Sequence, residues 1–580
     1  MSFGSQFAYA QVKQTSRSYV HSVNGVPKNL DPVQVDSYYA SIITDSIYDR
    51  FYSYRYLQRP YQLKASLAVG MPEISTDGKV YTLRIKRGIY FADNACFKGG
   101  LGREVSVRDF VYTMKRHMDP RQRSTSPSGW EIIKGMSEWK KKRDYSQRVK
   151  GLEVIDDYTL KVTLNKPWPR FVNELATTGS AFIPHEAVTH YGPEFAIHPA
   201  GSGPYSLAAF NKTKAELVRN PKYRREVFDL KEEGYNKSVH VGYGIEALAG
   251  QRLPRLDKII VRFMNQETSR WNSFTKGDEI NFSTIPSDLT EQILESVNPP
   301  TLKQEYAKKY VLSPERDIGV TFSAFNMANP EIGFNKNAKR NAANRALRCS
   351  IRKAFNWPSR IQRFYYGLGE AYAGIISPSL QGYTPISSES VKLDVRHAKE
   401  LLREHGWNRR NLPVINYAGT ASVKHRQMFE QFRGFLRKIG YPRQKIRYKV
   451  ASTFGNYLQR INAGEFDYFG MGWIPSVPDP EELLERYYSK SWSPGANKSR
   501  FIDERYDQLF EQVIAMESGP ERRRLMKQMN QLVTAACVAV ESFSRTTLNI
   551  WHKDVNMLFT SNMLRDQFKY IDFKKEDLTH

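Results

Sequence analysis

The sequence predicts a mixed fold of several lobes, α/β or α+β. Three observations predict it: a length of 580 residues, strand-period segments in the first half, and helix-period apolar stripes in the second. A chain of that length supports about four domains of roughly 150 residues each. Tyr81, Leu83 and Ile85 alternate with Thr82, Arg84 and Lys86, the period of a half-buried strand, and Asp77-Gly78 before them is a turn signal. That pair is expected to join two strands in a hairpin. Residues 159–164 alternate in the same way, and residues 256–263 form a further strand candidate. Among the helices, Leu347, Ile351, Ala354 and Phe355 form a stripe that Pro358 is expected to close off. Asp394 is placed as the N-cap of a helix through Ala398, Leu401, Leu402 and His405, stopped by Gly406. Met428, Phe432, Phe435, Leu436 and Ile439 share a face that ends at Gly440. Tyr506, Leu509, Phe510 and Val513 share another that ends near Gly519-Pro520. These stripes read as core.

Composition narrows the function classes. A hydrophobic content of 40%, with 13% aromatic and 25% charged residues, excludes a disordered or fibrous chain. A mean hydropathy of -0.57 and the lack of a long apolar run exclude a membrane-spanning helix. The 3 cysteines, Cys96, Cys349 and Cys537, are too few and too scattered for a disulfide framework or a thiolate zinc site. The unusual quantity is charge: 86 Lys and Arg less 60 Asp and Glu gives +26. Such a balance points to polyanions, an anionic surface or an acidic substrate. The basic residues are spread, however, and the densest run, Lys140-Lys141-Lys142-Arg143, is short and followed at once by Asp144. Nucleic-acid binders concentrate their charge on one element. A basic polyanion-binding protein is therefore the alternative reading and not the leading one.

Candidate catalytic and metal motifs fail on spacing. His185 and His190 are five positions apart, about 140° round a helix, and cannot share one metal. Gly242-Tyr243-Gly244-Ile245-Glu246-Ala247 has the spelling of a dinucleotide loop, but Gly250 and Pro254 would break the helix that must follow. It reads better as a tyrosine-bearing surface loop. Gly201-Ser202-Gly203 is not a nucleophile elbow, and no phosphate loop is present. No catalytic residue, metal ligand or cofactor is expected. At the N-terminus, Ala8-Tyr9-Ala10 has the small-x-small pattern of a cleavage site without the apolar stretch of a complete signal peptide. The tripeptide is either what remains of a trimmed signal peptide or an accident of composition.

The ordered segments resemble family 5 extracellular solute-binding proteins, the dipeptide- and oligopeptide-binding receptors of ABC importers. Residues 67–93, containing Asp77-Gly78-Lys79-Val80-Tyr81-Thr82-Leu83, are similar to the family's signature. Val105-Ser106-Val107-Arg108-Asp109-Phe110 resembles its helix start, and Gly201-Ser202-Gly203-Pro204-Tyr205 its "GTGPY" turn. Ala324-Phe325-Asn326 with Asn344-Arg345-Ala346-Leu347-Arg348, then Gly464-Glu465-Phe466-Asp467, Gly472-Trp473 and Asp479-Pro480, follow in the family's order.

The resemblance implies an α/β, type II periplasmic-binding-protein architecture: two lobes with a hinge, plus an extra domain. By analogy lobe I comprises residues 1–49, 199–317 and 540–580, the extra domain 50–198 and lobe II 318–539. Hinge strands are expected near Phe325-Asn326 and around residue 540. It further implies a periplasmic, monomeric receptor that binds a peptide or small molecule and hands it to an ABC permease in the inner membrane. The ligand-binding residues so implied are Tyr48, Asp49, Phe325, Asn326, Gly472, Trp473, Ile474, Ser476 and Asp479. Gly470-Met471-Gly472-Trp473 offers backbone that a ligand can approach and a broad flat side chain, though a buried strand with a core tryptophan would read the same. Many family members place an aspartate after this tryptophan, as G-W-x-x-D, to pair with a ligand's amino terminus. Here that position is Ser476, a neutral hydroxyl that cannot make a charge-assisted pair, with Asp479 as the nearby alternative. The departure points away from an ordinary free peptide and toward a ligand with a blocked amine, a modified peptide or another solute altogether; with many arginines available, an acidic ligand also fits.

Overall fold

A computed structural model describes residues 17–125, 128–276, 280–560 and 563–574; the Ala8-Tyr9-Ala10 tripeptide lies outside them. A four-stranded sheet anchors the first lobe. Its order is Ser18–Val23, Lys258–Phe263, Lys214–Arg219 and Tyr205–Phe210, parallel only between the first two. Gly203 explains why the Gly-Ser-Gly-Pro-Tyr turn precedes that last strand. A side chain there would come within 2.6 Å of the Ile47 carbonyl oxygen, to which the Gly203 N–H donates at 2.8 Å.

A second four-stranded sheet carries the expected hairpin. Glu73–Ile74 and Val80–Arg84 are antiparallel around the Asp77-Gly78 turn, and Thr159–Thr163 and Leu152–Asp156 complete the sheet. The helix Val107–Met118 packs beside it and opens with a capping box between Ser106 and Asp109, a device that stabilises a helix start by about 1 kcal/mol. Phe110 and Met114 of that helix are fully buried, so its apolar face closes this core.

The second lobe is built on the antiparallel pair Val320–Phe325 and Tyr468–Trp473, then the parallel pair Ile415–Thr420 and Ile446–Ala451, flanked by helices. The helix stripes are where periodicity put them. Asp394 accepts from the His397 N–H at 2.9 Å to start Val395–Glu404. Phe429, Phe432, Phe435 and Leu436 bury one face of Val423–Lys438, and Gly440 follows with φ +87°. Two boundaries differ. The helix Glu504–Val513 stops short of Gly519-Pro520, where the helix Pro520–Ala535 begins. Pro358 does not close the Ala338–Ala354 helix but sits in the first turn of the next, Trp357–Tyr365, where its missing N–H is not needed; Asn356 caps that helix. The Gly242–Gly244 segment is also more than a surface loop, since the Tyr243 ring packs 5.7 Å from buried Trp551.

The two lobes share one strand. Ala539–His552 is 14 residues long. Its first half pairs with Val320–Phe325 and Gly369–Tyr372, and its second half with Tyr310–Arg316 and Phe282–Thr284. The chain therefore crosses between lobes at residues 317–319 and again near Arg545, upstream of Phe325-Asn326 on the first crossing.

Cys349 and Cys537 form a disulfide with Cα atoms 5.3 Å apart, leaving Cys96 as the free thiol among the described residues. This corrects the expectation drawn from cysteine scatter. The partners are 188 residues apart, and only the packing of the Ala338–Ala354 helix against the entry to the crossing strand brings them together. Arg348 beside Cys349 is buried and donates to the Ala536 and Cys537 carbonyls at 2.9 and 3.3 Å, fastening the same junction. Closing a loop of that length stabilises by roughly 5 kcal/mol in the chain-entropy account. We expect one reactive thiol in the denatured unreduced protein and three after reduction. Cys349→Ser with Cys537→Ser should lower the second lobe's melting midpoint by several degrees in calorimetry. Three thiols without reductant would contradict the pairing.

Candidate ligand-binding cleft

A cleft of about 580 Å³ opens over the crossing segments. Its floor is the junction itself. The Asp317 N–H donates to the Arg545 carbonyl at 2.9 Å, and the Ser544 hydroxyl donates to the Asp317 carbonyl at 3.2 Å. Gly319 lies at the same crossing. Any side chain there would stand 2.7 Å from the Trp473 carbonyl oxygen, so glycine lets the second lobe's central strand pass close by. On the first-lobe wall stand His21, Tyr38, Phe282 and Phe559, while Tyr365, Leu368, Lys424 and Ile474 form the second-lobe wall.

His21 is fully enclosed between Phe282 and Phe559, with ring centroids 4.7 and 4.8 Å away. Burial lowers its pKa to about 3, so its imidazole is neutral and supplies shape, not charge. Four cations do carry charge in the lining: Arg270, Lys424, Arg545 and Arg565. Arg270 is 8% exposed and donates to the Met264 carbonyl at 2.7 Å. Lys424 stands over the Tyr365 ring at 5.0 Å, and Arg565 over the Tyr38 ring at 4.8 Å. Arg545 approaches Asp317 only to 3.9 Å. Burial raises the Asp317 pKa to about 6, against the pull of Arg545. Burial lowers that of Lys424, with Arg545 adding to the effect and Glu267 opposing it.

Past the Tyr38–Arg565 stack lies a second cavity of about 200 Å³, which Arg565 also lines together with Trp130, His117, Glu174 and Ser476. An ion cluster beside it bridges the hairpin-sheet body and the second lobe. Arg170 reaches Glu174 at 2.7 Å, Glu481 at 3.3 Å and Glu482 at 3.4 Å, and the Trp168 Nε1–H donates to Glu481 at 3.1 Å. Burial opposes the charge of Arg170, but the three carboxylates outweigh it and raise its pKa. Burial drives Glu481 up to about 7, with Arg170 pulling the other way, and also raises Glu482.

The structure distributes the residues singled out from sequence between cleft and frame. Ile474, 64% exposed, lines the large cleft and Ser476 the second cavity. Gly472 and half-buried Trp473 lie on the strand that leads to them. Ser476 does not stand alone at its position: its N–H donates to Glu482 at 3.0 Å, and its hydroxyl donates to the same carboxylate. Asp479 accepts two bonds from Arg522, at 2.6 and 2.9 Å, and one from the Glu481 N–H at 2.8 Å, all within the second lobe. Tyr48 and Asp49 are buried in the first lobe. The Tyr48 oxygen accepts from the Ala200 N–H at 3.2 Å, and Asp49 from Arg224 at 2.8 Å and Ser202 at 2.9 Å. Phe325 lies in the second lobe's core, and the Asn326 amide donates to the Gly464 carbonyl at 3.1 Å. Sequence reasoning passed over Tyr38, Arg270, Asp317, Lys424, Arg545 and Arg565. Each comes from a different stretch of the chain, and the one sign of the four cations in the sequence is the overall basic charge.

A family model described as bacterial extracellular solute-binding proteins, family 5 middle, matches residues 62–495. A dipeptide-binding protein of Escherichia coli is 23% identical over 468 residues, covering 79% of this chain and 76% of that protein. Heme-binding protein A of Haemophilus influenzae is 24% identical over 554 residues, covering 91% and 87%. In structure, the chain is similar to an ABC transporter-associated periplasmic binding protein of Helicobacter pylori in complex with the peptide STSA. The TM-score is 0.69 at 21% identity, over 97% of this chain and 99% of that one.

Glu481 gives a testable pH dependence. Its pKa is about 7 in the folded chain against an ordinary 4.5, so its stabilising contribution is full below about pH 4.5 and is lost as pH rises to about 7. Glu481→Gln stays neutral throughout. We expect the stability of Glu481→Gln relative to the parent to rise by about 3 kcal/mol from pH 4.5 to 7.5, on top of a pH-independent offset. Parallel stability–pH curves in denaturant titrations would refute the assignment.

Proposed function

The chain belongs to the family 5 bacterial extracellular solute-binding proteins, and from that premise we propose that it captures a peptide-like or other polar solute between its lobes for an ABC importer. The fold is the type II periplasmic-binding-protein architecture, two lobes on a hinge with an additional sheet domain. Among the described residues no helix is long and apolar enough to cross a membrane, and no cluster of His, Cys, Asp and Glu could hold a metal ion. In this reading the protein works in the periplasm as a monomer, binds without catalysis and passes its cargo to a permease in the inner membrane.

The observation that carries the reading is the cleft. Its floor is made of the strands that cross between lobes and its walls come from both, so a solute bound there touches groups that only a closed arrangement brings together. A ligand shifts such an equilibrium by its differential affinity for the closed form. We assign residues 1–49, 199–317 and 540–580 to lobe I, 50–198 to the extra domain and 318–539 to lobe II. Of the sequence-derived site residues, Ile474, Ser476, Trp473 and Gly472 face or lead to the solute in this reading. Tyr48, Asp49, Phe325, Asn326 and Asp479 hold the frame, because their polar atoms or rings are already engaged within it.

A thermal-shift panel of peptides and small polar solutes tests this. At a hundredfold excess over Kd a bound solute stabilises the native state by about 2.7 kcal/mol, a clear rise in melting midpoint. Ile474→Asp should cut affinity at least about tenfold while leaving the unliganded midpoint near the parent value, since the side chain is exposed. No shift with any member of the panel would count against solute capture.

A further inference from the structure

Resting on the solute-receptor reading, we propose that the solute is an anion, bearing carboxylate or another oxyanion group held by the cations of the large cleft. Its lining carries Arg270, Lys424, Arg545 and Arg565 against Glu267 and Asp317, so 4 − 2 leaves a net charge of +2. The two carboxylates do not neutralise the four. Among the described residues no carboxylate lies within ion-pair distance of Arg270, Lys424 or Arg565, and Arg545 has only the 3.9 Å contact to Asp317.

Of the four, Arg270 is buried, Arg565 half-buried, and Lys424 and Arg545 exposed. Several enclosed arginines elsewhere in this chain are paired with acids. Arg116 makes a two-bond fork with Asp31 at 2.9 and 2.7 Å, Arg224 is paired with Asp49, and Arg522 with Asp479. Where no acid is present, backbone carbonyls take over, as Ile375 does for Arg486 and as Ile332, Ala536 and Cys537 do for Arg348. The cleft cations have few partners of either kind. Arg270 uses a single carbonyl, while Lys424 and Arg565 rest over the faces of Tyr365 and Tyr38, positions that steady a cation without neutralising it. The donors therefore remain available to an oxyanion, which bonds to guanidinium and ammonium groups more strongly than a neutral acceptor does.

Two hydroxyls among the lining residues, on Ser22 and Tyr38, have no partner among the described residues and can donate to an oxyanion, while the Asn549 Oδ1 acceptor is unpartnered too. A cationic solute would find only Glu267 and Asp317 in the large cleft, and the acids of and beside the second cavity are already taken. Glu174 and Glu482 surround Arg170, and Asp45 is paired with Arg50 at 2.5 Å. Lys424 belongs to the second lobe and Arg270, Arg545 and Arg565 to the first lobe and the crossing, so an anion between them draws the lobes together. Without the anion, those like charges oppose closure.

The test is calorimetric titration of the full chain with matched tripeptides, Ala-Glu-Glu, Ala-Gln-Gln and Ala-Lys-Lys, with glutarate and phosphoserine included to separate carboxylate from phosphate. Acidic members should bind at least ten times more tightly than neutral isosteres, and raising salt should narrow the gap. The double variant Arg545→Gln, Lys424→Gln should reduce that acidic-over-neutral preference to threefold or less, with a melting midpoint confirming the fold. Neutral or lysine-bearing solutes binding as tightly as acidic ones would overturn the inference and leave solute capture standing. So would an acidic preference unmoved by the double variant. Failure of every solute to bind would overturn both readings.

Discussion

The structure depends on one continuous ladder of backbone hydrogen bonds, the strand Ala539–His552, which belongs to both lobes at once. Peptide groups that leave a sheet must be satisfied elsewhere, so a strand paired along its whole length cannot be pulled from either lobe cheaply. What freedom remains is concentrated where partners change, at residues 317–319 and near Arg545. The ladder to Val320–Phe325 also shifts register between Thr321 and Ser323, an irregularity that increases local twist. Packing tightens the same place, since Gly319 leaves no room for a side chain beneath Trp473. The change of partners thus places the hinge of this two-lobed fold on a short segment, and the cleft lies above it.

Charge is handled differently on the two sides of this hinge. At the hairpin-sheet side Arg170 gathers Glu174, Glu481 and Glu482 into a buried cluster that ties that body to the second lobe. Desolvation makes such a cluster costly to assemble and still more costly to leave half assembled, so its role is to define a geometry. In the large cleft the opposite choice is made. Cations are steadied by aromatic faces and left with few acids. The dispersed +26 is thereby resolved into a solvated surface and a small set of groups whose placement matters.

Legibility from sequence followed the range of the forces involved. Local periods placed the strand at Val80–Arg84 and the helices Val395–Glu404 and Val423–Lys438, because alternation and the 3.6-residue turn are written in neighbouring residues. Cap chemistry was legible at Asp394 for the same reason. Pro358 misled because proline both ends and begins helices, and only the Asn356 cap decides between them. The Cys349–Cys537 bridge and the cation set were illegible. Arg270, Lys424, Arg545 and Arg565 come from distant stretches of chain and meet only in the folded structure. Family likeness reached the fold. It could not show that Ser476 would be hydrogen-bonded to Glu482, a contact made by the following helix turn.

The central claim is that the lobes move as bodies about the crossing strand and close on a solute. Pulsed electron resonance tests it most directly, with spin labels at Val26→Cys and Val423→Cys, exposed positions on opposite lobes, in a Cys96→Ser background. The account predicts a distance distribution that moves to shorter values at saturating solute, while a label pair within the second lobe keeps its distance. An inter-lobe distribution identical with and without saturating solute would contradict it.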